Sequence, residues 1–393
     1  MKKVIITDLL ILAVFGSTCF WSVKKDRLTA LVDKILTEQT SEDEEILVLT
    51  SSNLAKKNGQ IGETQMSENA DKASEENTTK DYIKWVDFTV SKFALTESYE
   101  YDRDTYGTDR HISWIDLLAW TAAHTGGKFG DDRTVCKCME ELEMEAEAGK
   151  KLEELTEDLE YFPYYREVYE TVLGGMVGEY EIEEPDAQGR KVTQKRYGLK
   201  AFHPIAKGFP YTDYDDFGAS RSYGYRREHL GHDMMGQVGT PVIAVESGYV
   251  EAIGWNQYGG WRIGIRSFDK KRYYYYAHLR QGFPYQPELK EGSVVLAGDV
   301  IGYMGHTGYS TKEDVNNIDQ THLHVGMQLI FDESQKDSDN EIWIDCYQIM
   351  GFLYRNQSET ARNDETKEWR RIYEMKDPAA EKYERTLDFS MYP

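Results

Sequence analysis

Between Thr321 and Phe331 the chain alternates: Leu323, Val325, Met327, Leu329 and Phe331 are apolar, and His322, His324, Gly326 and Gln328 stand between them. Successive side chains of a strand point to opposite faces. An apolar row at every second position can be buried only if one face of a strand is covered, so this segment commits its surroundings to a sheet. The other face then carries two imidazoles roughly 7 Å apart, at about 3.3 Å per residue.

The neighbouring sequence agrees. Pro241 to Val245, Gly248 to Gly254, Trp261 to Ser267, Arg272 to Leu279, Ser293 to Leu296 and Val300 to Met304 are short runs rich in Val, Ile and Tyr, punctuated by Gly, Asn and Pro. That texture predicts antiparallel hairpins. Upstream, Tyr82 to about Val177 reads as helical. Ser113 with Asp116 three residues on predicts a helix start. Trp114, Ile115, Leu118, Ala119 and Ala122 follow at helical spacing, and Gly126-Gly127 predicts the stop. Glu140 to Leu159 predicts one or two charged helices and Tyr161 to Val177 another; after Pro185 the texture turns to strand.

The first 79 residues read differently. Val4 to Val23 is apolar apart from Asp8 and, at about 20 residues, long enough to cross a bilayer as a helix. It is read as a retained membrane anchor, with a cleaved signal peptide as the alternative. The stretch that follows is rich in Ser, Asn, Glu, Lys and Thr and predicts a flexible linker. The expected fold class is α+β: an N-terminal membrane helix, a helical region, then an all-β antiparallel domain. The expected boundaries are 1–27 (anchor), 28–79 (linker), 80–184 (helical domain), 185–345 (β domain) and 346–393 (C-terminal extension).

Charge and cysteines remove some functions. With 69 acidic against 46 basic residues the net charge is −23. Nucleic acid is excluded as a partner, because no basic stripe exists to meet phosphates. Cys136-x-Cys138 lacks the second cysteine pair of a zinc knuckle.

Chemistry concentrates in three pieces of the β region: His229-Leu230-Gly231-His232-Asp233, Tyr276-Ala277-His278-Leu279, and His322-Leu323-His324. In a straight strand His229 and Asp233 would stand roughly 13 Å apart, too far to share one ion at about 2 Å. The segment must bend, and Gly231 supplies backbone freedom for it. In the third piece one histidine can bind a metal while its neighbour reaches the metal's water. Two neutral imidazoles and a carboxylate form a common catalytic zinc set, with a coordination position left for water or substrate.

Together with Gly239-Thr240-Pro241-Val242 and Gly305-x-Thr307-Gly308, these pieces resemble, in content and order, the lysostaphin-type (LytM-like) zinc metallopeptidases. The resemblance covers about residues 220–331. It implies a zinc endopeptidase that hydrolyses peptide cross-links or stem peptides of bacterial peptidoglycan, with 185–345 as the peptidase domain. It also implies that His229, Asp233 and His324 bind one zinc ion per chain, and that His278 and His322 are catalytic without being ligands. Tyr223 is implied at the oxyanion, with Tyr225 as rival. Asn256, Tyr258, Gly259 and Gly260 match the family's Asn-x-Tyr-Gly turn and shape the groove. His232 is a bystander; His306, His203, His111 and His124 are structural. The chain departs from the family at Lys312 to Asp319, a polar insert read either as a lid or specificity loop or as an inert surface insertion. A substrate found only outside the membrane puts the catalytic domain on the wall side of a single-pass anchor. The rival reading is an envelope scaffold, or an activator of another wall hydrolase, that keeps the fold and works with a protein partner. All five zinc and catalytic positions are present, which favours the hydrolase.

Overall fold

The computed structural model describes residues 82–222, 226–336 and 340–390; the anchor and linker expected over 1–79 lie outside them. Among the described residues no helix is long and apolar enough to cross a membrane.

The helix expected after Ser113 runs over Trp114–Thr125. Ser113 Oγ accepts the N–H of Asp116 and donates to its carboxylate, and Gly126 ends the helix at φ +62° with its N–H on the Ala122 carbonyl. Lys92–Thr105 is capped the same way by Ser91. The expected Glu140–Leu159 helices are Asp132–Glu147 and Leu152–Thr156. The first begins earlier than its charges suggest, because Val135, Cys138, Met139 and Leu142 bury one helical face. Gly149, at φ +84°, separates the two.

The next helix, Phe162–Leu173, stops short of Val177 at Gly174-Gly175. Strand structure therefore starts before Pro185. Val177–Pro185 pairs along its whole length with Lys191–Leu199, around a turn in which the Asp186 carboxylate accepts the N–H groups of Gln188 and Arg190. Residues Met375–Lys376 add a short third strand to this hairpin.

The main sheet is antiparallel throughout. Its spatial order is Val294–Val295, Gly248–Asn256, Gly260–Ser267, Arg272–Ala277, His322–Leu329, His232–Met235 and Thr212–Asp213, and Ile342–Trp343 pairs on the far end of His322–Leu329. The alternating segment found in the sequence is thus central, flanked by Arg272–Ala277 and His232–Met235. Leu323, Val325, Met327 and Leu329 are fully buried in a core shared with Leu117, Leu118 and Val172 of the helices. The C-terminal residues are stitched on as well. Asn356 Nδ2 donates to the Ala201 carbonyl and Ser358 Oγ to that of Gly298.

One buried cation clasps helices to sheet. The Arg272 guanidinium donates from Nη1 to the carbonyl of Thr171 at 2.7 Å and of Glu170 at 3.3 Å, at the end of the Phe162–Leu173 helix. Nε and Nη2 form a fork on the Glu246 carboxylate at 2.8 and 3.0 Å, and the Tyr274 hydroxyl donates to the same carboxylate at 2.7 Å. Nη2 also meets Asp269 at 2.8 Å. Gly175 allows this approach, since a side chain there would run into Glu246. Replacing one member of such a set leaves a buried, unpaired charge. Arg272→Ala should therefore cost about 3–5 kcal/mol in urea unfolding of the full chain, and a loss under 1 kcal/mol would show that the clasp holds nothing.

Candidate active site

The antiparallel register of the central strand builds the site. Asp233 stands directly across from His324, and Ala277, the last residue of its strand, stands across from His324 on the other side. His322 and His324 share a face, as the alternation requires, with Leu323 buried between them on the other. His229 arrives from the loop after Arg226–Glu228, its backbone N–H on the Ala219 carbonyl at 2.9 Å. His278 follows Ala277 at φ +60°, a conformation costly for a side chain that large. Its N–H on the Gly259 carbonyl at 2.7 Å and its carbonyl accepting from Gly305 at 3.0 Å hold it there.

The chain between His229 and Asp233 does bend, but Gly231 matters for a reason other than the one expected. Its φ is not left-handed; a Cβ there would stand 2.5 Å from His324 Cε1 and 2.8 Å from the Val325 carbonyl oxygen. Absence of a side chain lets the backbone lie against the His324 ring.

His229 Nε2, Asp233 Oδ1 and His324 Nδ1 lie 2.9 to 3.0 Å from one another. Among the described residues these three form the one group of possible metal donors gathered within 4.8 Å. Donors on about 2 Å legs around a tetrahedral zinc stand roughly 3.3 Å apart, so a small inward gather separates this triangle from that geometry. The chemistry fits also. Two ring nitrogens aimed at each other and at one carboxylate oxygen converge on a point that a cation satisfies better than their own protons do. The Nδ1 of His229 is hydrogen-bonded to the backbone carbonyl of Asp216 at 3.3 Å, with the buried Asp216 carboxylate 3.1 Å away, which leaves Nε2 to face the triangle. Arg221 holds Asp216 from the other side and reaches Asp233 at 3.4 Å.

Electrostatics sort the imidazoles. Burial would raise the Asp233 carboxyl, but hydrogen bonds from His229 and His324 outweigh it and hold the group well below the usual carboxylate range. Burial would lower His229, yet its bond to Asp233 wins and raises it. At His324 burial wins and lowers it. His278 is pushed furthest down, by burial and then by His322 and His324. Its Nδ1 lies 3.0 Å from the Thr307 carbonyl, and His322 Nδ1 lies 2.8 Å from the Gln320 carbonyl. A carbonyl only accepts, so each Nδ1 carries the proton and each Nε2 is left to the groove. The two rings are 4.7 Å apart between centroids, and His322 Nε2 is 3.7 Å from Asp233 Oδ1.

These groups line an open groove of about 870 Å³ that also includes Arg227, Asn256, Tyr258, Arg262, Tyr275 and Tyr309. Asn256 makes the expected turn, its side-chain oxygen accepting from Tyr258 and Gly259. The Lys312–Asp319 insert is tied down rather than loose. Asp314 Oδ1 accepts from Trp261 Nε1 and from the Gly282 N–H, both at 2.8 Å, and Asn316 bonds Gln281. Tyr223 and Tyr225 lie outside the described residues. His232 turns away to Asp213, and His306, His203, His111 and His124 bond partners outside the donor triangle. Asp216, Arg221, Arg227 and Arg262 carried no sequence signal. An acid or an arginine in a chain this charged is distinguished only once its burial is known.

Residues 227–338 match the family model for Peptidase family M23. The L-Ala–D-Glu endopeptidase of Bacillus subtilis (strain 168) is 42% identical over 124 residues, 32% of this chain and 36% of that protein. The glycyl-glycine endopeptidase ALE-1 of Staphylococcus capitis is 33% identical over 123 residues, 31% of each. Among solved structures, the catalytic domain of lysostaphin from Staphylococcus simulans is similar at 30% identity, over 36% of this chain and 92% of that chain, with a TM-score of 0.29. The chain spans about a third of the length of the two curated relatives.

Asp216 aims His229 without touching the triangle. Asp216→Ala should weaken zinc uptake about 10- to 100-fold, the usual effect of losing such a partner. Competition against a chromogenic chelator measures this, and unchanged affinity would show that the Asp216 backbone carbonyl, which the replacement keeps, is enough to orient His229.

Proposed function

We propose that this chain, whose residues 227–338 match the model of peptidase family M23, is a zinc-dependent endopeptidase acting on the peptide cross-links or stem peptides of bacterial peptidoglycan. The observation that carries this reading is the meeting of a two-histidine, one-aspartate triangle with two further imidazoles in one open groove. The relatives support the substrate class, one named for an L-Ala–D-Glu bond and the other for a glycyl-glycine bond.

On this reading His229, Asp233 and His324 hold the ion, and His278 and His322 are the groups that move protons. Zinc, when bound, supplies Lewis acidity and makes water acidic enough to act as nucleophile near neutral pH. His278 and His322 each keep Nδ1 on a backbone carbonyl, which fixes the ring and leaves Nε2 basic. One Nε2 takes the proton of the attacking water and, once charged, donates to the oxyanion or to the departing amine. Burial keeps His278 neutral until that transfer. Asp233 stays ionised over the whole working range, so the carboxylate is always ready for a cation.

Two single replacements on one strand test the division of labour. His324→Ala should lose most bound zinc. His322→Ala should keep its zinc by mass spectrometry while release of amino groups from purified wall falls about 10²- to 10⁴-fold. The reverse pattern would exchange the two roles, and a zinc-loaded wild-type chain that cuts no wall would favour the scaffold.

The substrate lies outside the membrane, so the proposal extends to topology, with Val4 to Val23 as anchor and the groove on the wall side. Protease added to wall-stripped cells should remove the domain; complete protection would place it on the other side.

A further inference from the structure

Four basic side chains line the groove: Arg221, Arg227, Arg262 and Lys336. Two are neutralised inside the protein. Arg221 pairs with Asp216 and Asp233, and Lys336 Nζ lies 2.9 Å from Glu251. The other two are not. Among the described residues neither Arg227 nor Arg262 has a carboxylate partner, although the chain carries 69 acids against 46 bases. Arg227 lies against the rings of Tyr258 and Tyr309, at 5.7 and 5.1 Å, and donates from Nη2 to the Tyr309 hydroxyl. Its Nε, like Nη1 of Arg262, is buried with no hydrogen-bond partner. Nearly all buried donors in proteins are satisfied, so two orphaned guanidinium nitrogens in one groove need an explanation.

Their position supplies one. Arg262 lies on the Gly260–Ser267 strand, next to the strand that ends at His278. Arg227 precedes His229 by two residues, and the Tyr309 ring that it covers stands 6.1 Å from the His278 ring. Both arginines line the same groove as Tyr275. The Tyr275 ring is in turn 5.9 Å from that of His324. Two cations with no carboxylate partner among the described residues therefore share the groove with the donor triangle. The acids of the groove do not answer them: Glu341 accepts from Trp343 Nε1, and Glu228 is exposed.

We propose that Arg227 and Arg262 form a carboxylate-binding subsite of the groove, and that the peptide this protein takes carries a free carboxylate beside the scissile amide. This rests on the endopeptidase reading and deepens it. A guanidinium presents parallel N–H donors that match a carboxylate in a two-point fork, and a substrate carboxylate in the groove would supply the counter-charge that neither arginine finds among the described residues. An all-glycine bridge offers no such group within its length. The subsite therefore selects stem peptides with an acidic residue over glycine cross-bridges. Both arginines are specificity-determining; neither moves a proton in the reaction.

The test uses two synthetic stem peptides that differ only in one group, a free carboxylate or its primary amide. Binding to the full-length His322→Ala chain, which stops turnover, is followed by calorimetry; cleavage by the wild-type chain is followed separately. The acid should bind about 10- to 100-fold more tightly than the amide, the range for a hydrogen bond to a charged group. Arg262→Gln and Arg227→Gln, in the same background, should each shrink that ratio while affinity for the amide peptide holds. Equal binding of acid and amide overturns the subsite even if both peptides are cut, and so does a preference that survives in both arginine variants. Failure of the acid peptide to bind at millimolar concentration overturns it as well. An arginine-dependent preference for the acid with no cleavage upholds the subsite and sinks the endopeptidase reading instead.

Discussion

The pairing of Asp233 with His324 across two antiparallel strands is the constraint from which the rest of the site follows. Directly opposed residues in such a pair stand about 5 Å apart on one face. Their side chains meet without any loop being asked to position them. The register cannot slip by one residue, because that would carry Leu323, Val325 and Met327 out of the core and the two histidines into it. The hydrophobic effect thus fixes the coordination geometry indirectly. What buries the apolar row also aims the polar one.

The remaining groups are delivered by less regular means. His278 occupies a left-handed backbone position just past the end of its strand, and two backbone hydrogen bonds hold it there. His229 comes from a loop that depends on Asp216 behind and on the bare Gly231 backbone in front. Rigid strands therefore supply two corners of the triangle, and a braced loop supplies the third. The insert before the central strand belongs with the braces. Its Asp314 bonds Trp261 and Gly282, and its Asn317 donates to the carbonyl of Tyr309, whose ring lies against Arg227.

Period-two alternation made the central strand legible in the sequence, and capping chemistry did the same for the Trp114–Thr125 helix. Both signals are local and are written in consecutive residues. The residues alone offered five histidines and one aspartate in the β region; it was the family resemblance that singled out His229, Asp233 and His324, three groups that the fold does bring together. Other features were hidden because they depend on burial. Val177–Pro185 is rich in Glu and its strand partner is Lys- and Arg-rich, so charge masked a hairpin that cross-strand pairs such as Lys191 with Glu183 stabilise. Gly231 was marked as important but for the wrong property, since sequence cannot tell a glycine needed for its φ from one needed for its missing Cβ. Asp216 and the groove arginines are single charged residues in a chain with many.

The Arg272 clasp has a consequence for how such a chain can be inherited. Its hydrogen bonds join main-chain oxygens at the end of a helix to acids next to the sheet strands, Glu246 and Asp269, and they need a glycine, Gly175, at the crossing. A gene fusion drawing the helical layer from one parent and the sheet from another would pair an arginine with carbonyls at the wrong height, or a side chain with Glu246. Recombination breakpoints between residues 175 and 246 are therefore poor ones. Descent should pass these two layers on together, as one cassette.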